Sequence, residues 1–380
     1  MGLRSGTLGR ILIAVGLVTC LLVAAAGYTV LSNYKDLGNL VRVISLIRTQ
    51  YLETVTTEQM VEGAIRGVVE SLDDPYSTYL DPETFKKLNE QIHGSFGGLG
   101  ILVGIEGDYL TVVRPYEGTP AYKAGIKAGD KIIEIDQKDA KGIDLDTAID
   151  LMRGPVGTAV SLTVLRNGEQ KEFNNLIREE IRVPTVEGKV LAGTEIGYIV
   201  LSSFNDNTPN ELSDTLQELK SKNIKALILD LRNNPGGELR SAVKVADQFL
   251  FQGPIVHIDY KAGEDYTFEA HKPGLNLPLV VLQNQHTASA AEILAGAIKD
   301  HHLGTLVGTT SFGKGVVQTV FPLDNGAGIK LTTARYLTPD KHDINKKGIE
   351  PDITVEQPRG AAKDLQLQKA LDLMKEQLAG

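Results

Sequence analysis

The chain has almost no cysteine: Cys20 is the only one in 380 residues. A disulfide framework, a Cys-based metal site and a thiol nucleophile in the body of the protein are thereby excluded. It has no basic excess either. The formal net charge is −9, and no stripe of Lys and Arg is present to displace counterions from a phosphate backbone, so nucleic acid is not an expected partner. Internal repeats and low-complexity linkers are missing, and no G-x-S-x-G elbow supports a Ser–His pair. What the chain does have is length, an ordinary hydrophobic fraction of 42% and 39 glycines. Such a length accommodates two or three domains. The glycines point to many turns and some close backbone approaches.

Arg4 and Arg10 precede one long apolar run, Ile11 to Leu31. Roughly 20 apolar residues are what a bilayer-spanning helix needs. Positive flanks stay in the cytoplasm, so a single-pass anchor in the cell membrane with an extracytoplasmic body is expected. Cleavage at the A-x-A-like Ala24–Ala26 would instead release a secreted or periplasmic body. The run continues past that site through Tyr28, Val30 and Leu31, which favours an uncleaved anchor. Leu17–Cys20 is a poor lipobox, because Thr19 stands where Gly or Ala is usual.

Residues 32–92 read as a helical region. Val41, Ile44, Ile47 and Tyr51 recur at helical spacing, as do Val61, Ala64, Ile65, Val68 and Leu72. After DDPYSTYLDPETF, Pro82 opens a further helix carrying Phe85 and Leu88. Residues 93–177 change to strands. The run Gly97, Gly98, Leu99, Gly100 and Ile101 would expose successive N–H groups beside a sheet edge. Such a nest suits a terminal carboxylate, while the edge accepts a peptide as an added strand. With AYKAGIKAGDKIIEID and the later helix LDTAIDLMRG, this region resembles PDZ domains. Residues 178–356 form an α/β body, in which IKALILDLR is a continuous apolar strand of the kind buried on both faces. Residues 357–380 make an amphipathic helix with Leu367, Leu371, Met374 and Leu378 on one face. That stripe packs either on its own core or on a second copy in a homo-oligomer.

The stretch Gln283 to Gln318, QNQHTASAAEILAGAIKDHHLGTLVGTTSFGKGVVQ, carries the chemistry. Ser289 sits where a polar turn becomes a small-residue helix, so unpaired N–H groups and the positive helix end favour a developing oxyanion there. Serine needs a base before it attacks a carbonyl. A lysine in an apolar pocket can be that base, and Lys314 is flanked by glycines further along. Two rival motifs fail in the same stretch. Gly308–Lys314 starts like a phosphate-binding loop, but Gly315 replaces the Ser or Thr that would hold magnesium, and a strand pattern follows where a helix is needed. Ser311-x-x-Lys314 has no K-T-G or S-D-N partner. His286, His301 and His302 read as turn and helix-end residues.

TASAAEILAGAIKD, GTTSFGKGVVQTVFPL, LTTARYLTPD and KGIEPDI, taken in order, resemble the core of the C-terminal processing peptidases, which are Ser–Lys tail-specific proteases with a PDZ domain. The resemblance covers most of the chain after the first thirty residues. It implies a crotonase- or ClpP-like βαβ protease core preceded by a PDZ domain and a helical segment, an overall mixture of α/β and β structure. It makes Ser289 the nucleophile, Lys314 the base and Gln318 the residue holding the lysine. The NPGG turn, through Gly236 or Gly237, and Ala290 would supply the oxyanion hole. Gly236 is the preferred first donor, and Glu292 reads as a surface or helix-stabilising group. The implied activity is endopeptidase cleavage of proteins or peptides near their free C-termini, without cofactor or metal and with gating by the PDZ domain. The alternative is a PDZ-based scaffold with an inactive core, against which the intact Ser289, Lys314 and Gln318 weigh.

Overall fold

The structure, a computed structural model, describes residues 34–271, 273–358 and 360–379. The apolar run Ile11–Leu31 lies outside the described residues, and among those described no helix is long and apolar enough to cross a membrane. The chain forms two compact units divided between Tyr79 and Leu80. The first contains helices Tyr34–Gln50 and Thr57–Glu70. Thr56 starts the second of these through a reciprocal capping box with Gln59. The periodic residues Val41, Val61 and Val68 are largely exposed. The expected third helix, Pro82–His93, belongs to the second unit; the Asp81 carboxylate caps it and Gly94, at φ 67°, ends it.

From Ser95 to Arg182 the second unit is mostly antiparallel. A five-membered path runs through Ile101–Glu106, Tyr109–Pro115, Lys131–Ile135, Ala159–Arg166 and Glu169–Ile177, with Ile101–Glu106 at its edge. Helix Leu145–Met152 closes it over a core that includes Leu110, Ile132, Val164 and Met152. One ion pair, Arg166 with the buried Asp130, ties two neighbouring strands of this sheet at 2.6 Å. Burial works against the Asp130 charge. The Arg166 guanidinium and the Lys127 N–H more than offset that, holding the carboxyl below its usual range.

The rest of the unit is built on a sheet ordered Val186–Val190, Ile196–Leu201, Ala226–Asp230, Leu279–Gln283, Thr305–Gly308 and Ile353–Thr354. All pairs but the first are parallel. Period-2 alternation divides the strands between two cores. Leu227, Leu229 and Val281 pack with helices Thr208–Ser221, Leu239–Ala246 and Ala290–Asp300. Ala226, Ile228, Val280 and Leu282 pack with Ala370 and Met374 of the C-terminal helix Leu365–Ala379. That helix therefore covers its own sheet, although Leu378 stays 42% exposed. A second, antiparallel sheet contains Pro254–Tyr260, Tyr266–Glu269, Val316–Pro322 and Gly328–Leu337. In open α/β sheets, function gathers beyond the carboxyl ends of the parallel strands. Ala226–Asp230 and Leu279–Gln283 are neighbours, so the turns that follow them emerge side by side.

Candidate active site

The turn after Gln283 ends at Ser289, which precedes helix Ala290–Asp300. Ser289 has φ 55° and ψ −118°, a conformation that non-glycine residues rarely adopt and that the surroundings must enforce. Several bonds do so. The Thr287 hydroxyl donates to Leu231 O at 2.8 Å, and Ala288 N donates to Asn234 O at 2.9 Å. Ser289 N donates to Glu292 Oε2 at 2.7 Å, and Ser289 O accepts from the Tyr336 hydroxyl at 3.1 Å. Gly236 lies directly against this turn. A Cβ there would fall 2.7 Å from Ala288 O and 2.8 Å from both Ala290 N and Ser289 Cβ.

Of the two sequence readings of Glu292, the surface one fails, since it is fully buried, while the helix-stabilising one holds, since it forms a capping box with Ser289. Its Oε1 accepts from Ser311 Oγ and Gly313 N, both at 2.6 Å. Its Oε2 accepts from Ser289 N at 2.7 Å and Lys314 N at 2.9 Å. Four donors use the full capacity of a carboxylate. One side chain thus ties the backbone of the serine to that of the lysine. The S-x-x-E spacing shows the Ser289 bond in the sequence; the loop that supplies the other three is distant and does not show. Ser311 has its own role in this clamp, since its oxygen also accepts from Ile349 N at 2.7 Å.

Ser289, Lys314 and Gln318 line one cleft of about 1040 Å³, together with Gly236, Gly237, Ala290 and Tyr336. Lys314 is half-buried. Gln318 lies on strand Val316–Pro322 beside a bulge, and its amide donates to Val316 O at 3.4 Å and Thr332 Oγ1 at 3.5 Å. Because a strand follows Lys314, Gly308–Lys314 is not followed by the helix a phosphate loop requires. His286 is exposed in its turn, and His301 and His302 end the helix.

The preference for Gly236 as a hydrogen-bond donor is corrected by its neighbour. The Gly236 N–H already donates to Asn234 Oδ1 at 2.8 Å, because the buried Asn234 side chain folds back on its own turn. The Gly237 and Ala290 N–H groups donate to no acceptor among the described residues. Ala290 opens the helix, where an N–H has no intrahelical partner.

The strand feeding this turn is braced from below. Arg232, with its side chain 13% exposed, pairs with Asp230 at 2.6 Å and Asp364 at 2.9 Å. Burial disfavours the Arg232 charge, but these two carboxylates more than compensate and raise its pKa. Burial likewise opposes ionisation of Asp364, and the Arg232 guanidinium outweighs it, holding Asp364 below the usual carboxylate range. Burial, with the Asp230 charge, pushes the Tyr198 hydroxyl up. Tyr198 donates to Asp230 Oδ2 at 2.6 Å.

Gly97–Ile101 lies at the edge of the smaller, antiparallel region. Leu99 is 3% exposed and Gly100 has φ 72°. A Cβ at Gly97 would come within 2.1 Å of Gly154 O, and one at Gly100 within 2.4 Å of the Thr119 side chain. The N–H groups of Leu99 and Gly100 donate to no acceptor among the described residues. Phe96, one residue upstream of this run, lines the same cleft as Ser289. The Arg153 guanidinium, which also lines it, lies 3.9 Å from the Phe96 ring centre. Among the described residues, Asp300, Asp340 and His342 are spaced to hold a metal ion. They lie at the opposite end of the helix from Ser289.

Residues 195–355 match peptidase family S41, 111–166 a PDZ domain, and 23–84 the N-terminal domain of the activating protease CtpB. The chain is 42% identical to a carboxy-terminal-processing protease of Bartonella bacilliformis, across 86% of this chain and 76% of that one. It is 41% identical to the carboxy-terminal processing protease CtpA of Bacillus subtilis, across 82% and 67%. Among solved structures, the photosystem II D1 C-terminal processing protease aligns at 32% identity and a TM-score of 0.50, across 83% of this chain and 86% of that one. A putative S41 protease of Bacteroides fragilis shares the fold at 17% identity and a TM-score of 0.54, across 87% and 96%.

Proposed function

The chain belongs to the carboxy-terminal processing serine proteases of peptidase family S41, and we propose that it cuts proteins near their C-termini with a Ser289–Lys314 dyad. The observation that carries this reading is the Glu292 carboxylate, which joins Ser289 N and Lys314 N within one buried clamp. A serine and a lysine with unrelated roles have no need of a shared anchor. Neutral Lys314 takes the Ser289 Oγ proton as Oγ bonds to the scissile carbonyl carbon. The oxyanion of the tetrahedral intermediate accepts hydrogen bonds from the Ala290 and Gly237 N–H groups. Collapse breaks the peptide bond, and the Lys314 ammonium returns its proton to the departing amine. Water then gives a proton to Lys314 as its oxygen bonds to the acyl carbon; collapse breaks the ester bond, Lys314 returns the proton to Ser289 Oγ, and the new C-terminal acid loses its proton to solvent as a carboxylate. Gln318 lines the same cleft and keeps the lysine aimed at the hydroxyl.

The N–H groups of Leu99 and Gly100 are proposed to read the substrate's terminal carboxylate. Phe96 and Arg153 join that loop to the cleft, which supports a gating role in addition to tethering. The apolar run Ile11–Leu31, behind Arg4 and Arg10, supports a membrane tether with the body outside the cytoplasm. Protease treatment of spheroplasts tests that topology, and a body protected until the inner membrane is lysed contradicts it. The activity is tested by incubating the protein with an unstructured peptide, without nucleotide or metal. New fragments are expected from the native chain and none from Ser289→Ala. Equal fragmentation by both would remove Ser289 from the chemistry.

A further inference from the structure

The amide between Ser289 and Ala290 presents two groups in opposite directions, as a trans peptide must. Its N–H is the Ala290 donor proposed for the oxyanion. Its C=O accepts from Glu292 N at 2.8 Å, from Ile293 N at 3.1 Å and from the Tyr336 hydroxyl at 3.1 Å. The first two bonds belong to any helix start. The third crosses from strand Gly328–Leu337 of the other sheet. Tyr336 is 1% exposed, and its own N–H donates to Gly315 O at 3.1 Å, one residue beyond Lys314.

A buried tyrosine hydroxyl usually finds some acceptor, so the bond alone carries little. Its target carries more. The carbonyl belongs to the residue held at φ 55°, and a conformation of that kind persists only when its surroundings over-determine it. A hydrogen bond donated to an amide oxygen also polarises that amide and strengthens its N–H as a donor. We propose that Tyr336 is a positioning residue for the oxyanion hole: its hydroxyl fixes and polarises the Ser289–Ala290 amide. The inference rests on Ser289 as nucleophile and Ala290 N–H as oxyanion donor.

Tyr336→Phe keeps the ring and removes the hydroxyl. kcat per titrated active site should fall roughly tenfold with KM unchanged. A peptide aldehyde, whose adduct with Ser289 carries the oxyanion, should bind more weakly by the same factor, while the cleaved product peptide binds as before. A merely structural tyrosine would lower the Tm and the fraction of active enzyme, leaving kcat per site and the aldehyde-to-product ratio alone. Values within about twofold of the native protein overturn the proposal. A native protein that neither cleaves peptide nor binds the aldehyde overturns the Ser289 reading itself, and this proposal with it. If the phenylalanine variant does not fold, 3-fluorotyrosine at position 336 serves as a stronger donor. It should tighten the aldehyde relative to the product peptide, and an unchanged ratio is contrary.

Discussion

Gly97–Ile101 and the turns around Ser289 both leave backbone N–H groups without an acceptor among the described residues, and they are held by different means. Around Gly97–Ile101 the supports come mostly from backbone: Gly154 N donates to Gly97 O, Ala121 N to Leu99 O and Tyr116 N to Gly100 O. Around Ser289 they are buried side chains, Thr287 and Glu292 from the turn and helix start themselves and Asn234 and Tyr336 from distant stretches. The difference follows from the anion each is proposed to meet. A terminal carboxylate is charged before it arrives, so imprecise placement costs only affinity. An oxyanion exists only in passing, and its donors stabilise it only if they are already in position.

Mutation can break this comparison most severely at the turn. Lys314→Ala should reduce kcat/KM by on the order of 10⁴-fold or more, with the Ser289→Ala double variant costing little beyond that. Steady-state kinetics on Lys314→Ala, Ser289→Ala and the double variant checks this. Glu292→Gln leaves the turn's chemistry intact but sets an amide NH₂ against N–H donors. It should lower kcat roughly 100-fold through misplacement and destabilise the fold by about 3 kcal/mol, read from urea denaturation. At the carboxylate loop the effects should be smaller and of another kind. Amidating a substrate's C-terminus should raise KM roughly tenfold, the worth of hydrogen bonds to a charged group, with a smaller change in kcat. Equal KM for amidated and free-acid tails would remove the carboxylate-reading role.

The smallest effect is expected at the brace beneath the turn. The folded pKa of Asp364 is depressed by Arg232, so its contribution to stability is present above the ordinary carboxylate pKa of ~3.9 and is lost as pH falls through the folded value. Asp364→Asn should therefore lower the Tm near neutrality, and its gap from the native protein should close on acidification below about pH 4. A gap that is constant with pH would mean that the carboxylate charge contributes nothing there.

What was legible in the sequence was local. Ser289 before a small-residue helix, Lys314 between glycines and the glycine-rich loop at Gly97–Ile101 are contiguous patterns. The two faces of Ala226–Asp230 also follow from its unbroken apolar run. Long-range bonds were not legible. Glu292 reads as a surface or helix-stabilising group because three of its four donors come from Ser311–Lys314, and only the fold brings that loop to it. Gly236 reads as the first oxyanion donor because a glycine pair says nothing about which N–H a nearby side chain has claimed; Asn234 claims it. The stripe on the C-terminal helix could not reveal its partner, which Ile228, Val280 and Leu282 supply from the helix's own sheet.

The central claim is that Ser289 and Lys314 act as one unit. Treatment with a fluorophosphonate, followed by peptide mass spectrometry, tests it most directly. The native protein should carry the label on Ser289, and Lys314→Ala should label there at least ~100-fold more slowly, the scale of a lost general base. Label on another residue, or equal labelling of Ser289 in Lys314→Ala, would contradict it.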